Sequence, residues 1–178
     1  MLTIDTINRM SRDEFVSALG PVFENSPWVA RDAWNNRPFA DAEALHGAMF
    51  DQVLRRDATA LTEFLQAHPD LAGKEAKEGQ MTAMSTAEQE TAGLDRLSPS
   101  EVGFINDLNR RYRERHGFPF IVCVRHYTKA GIFAEFTHRL ERETGAELDE
   151  ALRQIGNISR HRLGGLLAPT ADSCRQTR

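Results

Sequence analysis

Apolar residues recur along this chain at helical spacing in eight stretches, and most of these stretches are bounded by start and stop signals. Ser11 and Glu14 have capping-box spacing ahead of Phe15, Val16 and Leu19, and Gly20-Pro21 closes that helix. Ser26-Pro27 opens the next, with the serine as cap and the proline in the first turn, where its missing N–H costs little. Trp28, Val29 and Ala33 share its inner face until Pro38. From Asp41 the positions Leu45, Ala48, Met49 and Val53 keep the helical period, and Asp57 caps a further helix with Leu61, Phe64 and Leu65. Pro69 ends that helix and leaves His68 at its C-terminal edge. A polar connection over 73–80 leads to a helix from about Ser85 to Gly93. Ser98-Pro99-Ser100-Glu101 begins a long helix that stops at Gly117. Ile132, Phe133, Phe136 and Leu140 mark another, and Leu148, Ala151, Leu152, Ile155, Ile158 and Leu163 the last.

One stretch breaks the period. Phe118-Pro119-Phe120-Ile121-Val122-Cys123-Val124 is apolar and β-prone, with no second strand in the chain to pair with. It reads as an extended segment buried between helices, whose backbone N–H and C=O groups need partners that a bound polar ligand can supply. The pattern predicts an all-α fold. It is a single compact domain of about eight helices over residues 1–167, with the extended segment around 118–124 lining the site and a disordered polar tail over 168–178.

Composition narrows the function classes. The chain has 178 residues, long enough for one good core, with 40% hydrophobic and 27% charged residues. A net charge of −4 with scattered lysines and arginines gives no footprint for nucleic acid. Two cysteines, Cys123 and Cys174, cannot make a disulfide framework and suit a reducing cytoplasm. No stretch is apolar for long enough to span a membrane.

Candidate chemistry concentrates between His68 and Leu94. An imidazole at the end of one helix and the Glu88 carboxylate at the start of the next form the usual pair for moving protons at neutral pH. The dipole at the helix C-terminus favours the protonated His68 by up to about 1–2 kcal/mol. Taken singly, each signal has a plainer reading. His68 is a helix-ending surface histidine, Ser85-x-x-Glu88 a capping box, 118–124 core and Arg162 a solvated charge. The six histidines lack the short spacing that sets two ligands on one helix face, and there is no cysteine pair, so no metal site is expected. Phosphate-loop, nucleophile-elbow and dinucleotide fingerprints are also missing, so no cofactor is expected.

The blocks together carry more than their parts. His68-Pro69-Asp70-Leu71-Ala72-Gly73, Ser85 with Glu88-Gln89 and Ala92-Gly93-Leu94, and Asn109, Tyr112 and Gly117-Phe118-Pro119-Phe120-Ile121 fall in a fixed order. With Phe23-Glu24-Asn25-Ser26-Pro27-Trp28-Val29-Ala30, Arg37-Pro38-Phe39 and Arg162-Leu163, this order resembles the OHCU decarboxylase family of urate degradation. OHCU is 2-oxo-4-hydroxy-4-carboxy-5-ureidoimidazoline. Met84 stands where the family pattern suggests a glutamate, and His116 where it suggests an aromatic. The resemblance implies an all-helical homodimer without metal or organic cofactor that converts OHCU to (S)-allantoin and CO2. It assigns His68 as the catalytic acid/base assisted by Glu88. Pro69, Ser85, Gln89 and the backbone of Phe120, Ile121, Val122, Cys123 and Val124 would surround the substrate, with Arg162 anchoring an anionic group.

Two other readings share these residues. His-Pro-Asp is also the signature of J-domain co-chaperones, but there the preceding helix is strongly basic, and residues 57–67 contain no lysine or arginine. A helical adaptor that kept the scaffold and lost activity would have no reason to keep both His68 and Glu88.

Overall fold

The computed structural model describes residues 1–73 and 81–168. Nine α-helices run through them: α1 (Ile4–Arg9), α2 (Arg12–Leu19), α3 (Pro27–Ala33), α4 (Ala42–Leu54), α5 (Ala58–Gln66), α6 (Ala83–Thr91), α7 (Pro99–His116), α8 (Lys129–Leu140) and α9 (Thr144–Leu166). The all-α expectation holds, with α1 in addition to the eight helices expected. Its six residues bury only Ile7, too little to leave a periodic signal in the sequence. The expected connection beyond Gly73 and the expected tail beyond Ala168 lie outside the described residues.

Local signals account for most helix starts. Both capping boxes form: Ser11 and Glu14 satisfy each other's backbone N–H groups, as do Ser98 and Glu101. Asp41 and Asp57 cap α4 and α5. Ser26 holds the N-cap position of α3, but its hydroxyl makes no capping bond there, and the start rests on Pro27. Gly117 ends α7 at φ +81°, a conformation that costs glycine little and other residues more.

α3 packs on both α2 and α4, α7 packs on α8, and the 23-residue α9 crosses α4, α5 and α7. The final helix is therefore the spine, and side chains four residues apart on one of its faces, Gln154, Ile158 and Arg162, point toward one place. Among the described residues no helix is long and apolar enough to cross a membrane.

Residues 119–123 run without helix or strand, whereas Val124, expected at the end of the extended segment, opens the single turn Val124–His126, and the isolated Leu2–Leu167 bridge is the one β pairing among the described residues. The segment is held by side chains instead of a neighbouring strand. Arg139 Nη1 donates to the Ile121 carbonyl at 2.9 Å, and the Cys123 N–H donates to Gln154 Oε1 at 2.8 Å. Arg139 can sit in the core because Glu147, equally buried, accepts from its Nε at 2.9 Å, with the Tyr112 hydroxyl on the same carboxylate oxygen. Phe120 stacks on Phe136 at 3.9 Å between ring centroids and meets Tyr112 edge-on.

Candidate active site

α5, α6, α9 and the extended segment converge on a narrow cleft. His68, Pro69, Leu71, Ser85, Glu88, Gln89, Phe120, Ile121, Val122, Val124, Ile158 and Arg162 line it. It holds about 50 Å³, against about 370 Å³ for a hollow beside the N-terminus and Ala168. The larger hollow has Asp5 and Asp41 but no base or cation beside them. The smaller one gathers a histidine, a glutamate and an arginine.

The loop after α5 is pinned at each step. Asn25, at φ +48°, donates from Nδ2 to the Ala67 carbonyl at 2.9 Å. The Asp70 carboxylate accepts from Arg113 at 2.6 Å, Asn109 donates to the Leu71 carbonyl at 2.9 Å, and the Ala72 N–H donates to Gln89 Oε1 at 2.9 Å. These bonds fix His68 and Pro69 at the mouth of the cleft. They also explain why Asp70 and Asn109 accompany the histidine in the sequence blocks: they hold the loop and do not line the cleft.

His68 Nδ1 lies 3.2 Å from the Phe64 carbonyl, one turn back, and its ring meets Phe64 edge-on. A carbonyl can only accept, so Nδ1 carries the proton and the lone pair of the neutral ring is on Nε2. Burial drives the imidazole down from its ordinary 6.5 to about 4, with Arg162 adding to the fall and Glu24 opposing it. The expectation of a dipole-stabilised cation is therefore corrected. Desolvation outweighs the helix end, and His68 is a neutral base at pH 7.

Arg162 organises the opposite wall. Its Nε and Nη2 grip Glu88 in a two-pronged contact at 2.9 and 2.7 Å, Nη1 donates to Glu24 at 2.8 Å, and Nη2 donates to the Ser85 hydroxyl at 2.9 Å. Four of five N–H groups are thus directed at protein acceptors, leaving one on Nη1 among the described residues. The plain reading of Arg162 as a solvated charge is corrected, since its side chain is 5% exposed. The capping-box reading of Ser85 is corrected as well. Thr82 caps α6, and Ser85 sits inside the first turn, where its hydroxyl donates to Glu24 at 2.8 Å.

Glu24 is the residue that local sequence signals missed. It is 1% exposed and accepts from Thr82, Ser85 and Arg162. Burial pushes its carboxyl up, but the Arg162 charge and these hydrogen bonds prevail and hold it below the usual range. A buried acid after Phe23 carries no periodic signature, and only the sequence block around it pointed to the position.

Of the expected site residues, His68, Pro69, Ser85, Glu88, Gln89, Phe120, Ile121, Val122, Val124 and Arg162 meet in this cleft, joined by Leu71 and Ile158. Cys123 alone of 120–124 is not in its wall.

The fold and site define a helical protein with a histidine in one cleft with a buried carboxylate–guanidinium cluster. Residues 8–164 match the family described as OHCU decarboxylase. A 2-oxo-4-hydroxy-4-carboxy-5-ureidoimidazoline decarboxylase from Haloferax volcanii is 38% identical over 162 residues, covering 91% of this chain and 94% of the relative. The Mus musculus protein of the same name is 36% identical over 169 residues, covering 95% of each chain. A crystal structure of (S)-allantoin synthase superposes with a TM-score of 0.74 at 27% identity, and this chain spans 93% of its own length and 54% of that chain. The chain belongs to the OHCU decarboxylase family.

Proposed function

We propose that this chain decarboxylates OHCU in urate degradation, releasing CO2 and forming (S)-allantoin, with His68 as acid/base and Glu88 assisting. The observation that carries the reading is the neutral His68, its lone pair on Nε2, in one cleft with the Glu88–Arg162–Ser85–Glu24 cluster.

The carboxylated carbon of OHCU adjoins a ring carbon in a C=N bond. When the C–C bond to the carboxylate breaks, its electron pair moves through the neighbouring carbon onto the ring nitrogen, which takes up a proton from solvent, so the ring is the electron sink. What remains is to remove the hydroxyl proton from the decarboxylated carbon and to place a proton on one face of the carbon bearing the ureido group. His68 can accept the first through Nε2 and deliver the second from the same nitrogen, which suits a ring that is neutral at rest. Glu88, fixed by Arg162, takes the role of orienting the hydroxyl or ureido group. Arg162 is already committed to two carboxylates, which supports a positioning role over a tight hold on the departing carboxylate. Gripping that group before the transition state would not accelerate its loss.

Ile121 C=O and Cys123 N–H are taken by Arg139 and Gln154. In extended backbone the intervening Val122 turns its N–H and C=O the opposite way, which fits them to meet the ureido and oxo edges of the substrate. Pro69 and Gln89 complete the contact surface. The reading also includes a cytoplasmic location and a homodimer. The stacked Phe104 and Phe133, with Phe104 46% exposed, supply apolar surface for a second copy, and sedimentation at twice 20.1 kDa checks it.

The deciding experiment generates OHCU in place from urate with urate oxidase and hydroxyisourate hydrolase, followed by circular dichroism. Adding the protein is expected to produce a rapid (S)-allantoin signal. Slow, racemic allantoin at the same rate with and without protein would reject the proposed activity.

A further inference from the structure

Cys123 turns from the cleft toward two histidines that the sequence keeps apart. Cys123 Sγ and ring nitrogens of His126 and His161 lie within 4.8 Å of one another. His126 Nε2 and His161 Nε2 are 3.0 Å apart, with the rings nearly perpendicular. No local spacing announces this group. Cys123 and His126 flank the single turn Val124–His126, and His161 comes from α9, 35 residues later. The expectation that no metal site exists rested on local spacing and on the family resemblance.

We propose that Cys123, His126 and His161, none of which lines the cleft, form a binding site for a borderline-soft divalent metal ion of the zinc type. One thiolate and two imidazoles are the ligand types such ions select, and three protein ligands leave a fourth position for water. The two nitrogens stand close to the spacing a metal needs, and Cys123 Sγ lies within 4.8 Å of them. Two nitrogens bound tetrahedrally to zinc stand about 3.3 Å apart, a few tenths of an ångström beyond the present contact. In that contact one Nε2 must donate a proton to the other. On metal binding that ring carries its proton on Nδ1 instead, by exchange with solvent, so it stays neutral and both Nε2 lone pairs point at the ion. A thiol gives up its proton to ligate, so each ion bound releases the Cys123 proton to solvent as the metal–sulfur bond forms. Arg125 and Arg162 lie close enough to oppose a cation and Glu88 close enough to attract one, and the thiolate formed on binding offsets a further positive charge. The two histidines are exposed, which gives the ion a path in and the rings freedom to close on it.

Such an ion would tie the cleft wall to α9 one residue before Arg162. The site is therefore placed to stiffen the catalytic cleft without touching substrate.

The test uses the untagged full chain. Zn²⁺ is expected to raise the Tm by several degrees at saturating excess, and Co²⁺ to give a thiolate-to-cobalt charge-transfer band with the spectrum of a tetrahedral ion. His126→Ala and His161→Ala, neither of which lines the cleft, are expected to keep turnover and lose about 10-fold or more in metal affinity. Cys123→Ser is expected to abolish the charge-transfer band. Micromolar Co²⁺ binding without a thiolate band, or histidine variants that bind as tightly as the parent, overturns the proposal. So does a Tm unmoved by Zn²⁺ in the parent chain.

Discussion

Replacing His68 by asparagine is expected to lower kcat by about 10²–10⁴-fold, the contribution of one well-placed proton-transfer group, while the helical fold persists. The substitution separates two jobs of the imidazole. Asparagine can still donate to the Phe64 carbonyl, the bond that fixes the ring at 3.2 Å, but it offers no basic nitrogen in place of Nε2. Turnover measured by circular dichroism, beside a far-UV spectrum of the variant, checks this, and near-normal turnover removes His68 from the chemistry. The pH behaviour follows from the same ring. Folded His68 takes up its proton near pH 4, whereas an ordinary imidazole in the unfolded chain does so near 6.5. Between these values the unfolded state binds more protons, so the stability contributed is present above about 6.5 and is lost as pH falls to about 4. The loss is up to about 3 kcal/mol. His68→Asn is expected to flatten that part of the stability profile relative to the parent. In the active protein the acid limb of kcat/KM is expected near 4 instead of 6.5.

Arg162→Met is expected to destabilise the fold by about 3–5 kcal/mol, the cost of leaving a buried partner charge without its counterion. Glu24, at 1% exposure, loses the cation that offsets its burial, and Glu88 loses both prongs of its support. Activity is expected to fall with stability, because Glu88 no longer has a fixed position. Glu24→Gln is expected to cost less, since an amide can still accept from Ser85 or Thr82. The double variant is expected to recover part of the Arg162→Met loss, because the uncompensated buried charge is gone. Urea denaturation midpoints of the three variants measure this. A loss below about 1 kcal/mol in Arg162→Met would show that the cluster is not the electrostatic keystone of the site.

The helices were legible in the sequence because their causes are local: Ser11 with Glu14, Ser98 with Glu101, Asp41, Asp57 and Gly117 act within one turn of themselves. The same locality explains the errors. Ser85 and Glu88 have the spacing of a capping box, and nothing within one turn reveals that Thr82 caps the helix while Ser85 turns to an acid 61 residues away. The dipole argument for His68 was sound for a surface helix end, but burial is a property of the whole fold and outweighs it. Glu24 with Arg162, Arg139 with Glu147 and Cys123 with His161 are partners brought together only by the path of α8 and α9. The block order that carries the family resemblance recovered His68, Glu88, Ser85 and Arg162 for the cleft because it records tertiary neighbours that periodicity ignores.

The cleft wall hangs from two pegs, Arg139 on the Ile121 carbonyl and Gln154 on the Cys123 N–H. A strand in a sheet is fixed along its whole length by a ladder, whereas this wall takes its height from side chains rooted in separate helices. Its setting can therefore be changed from behind. Altering the length of either peg shifts this wall of the cleft while every side chain that lines the cleft keeps its identity. A lineage, or a protein engineer, seeking to admit a differently substituted ring has a route that leaves the acid–base chemistry intact.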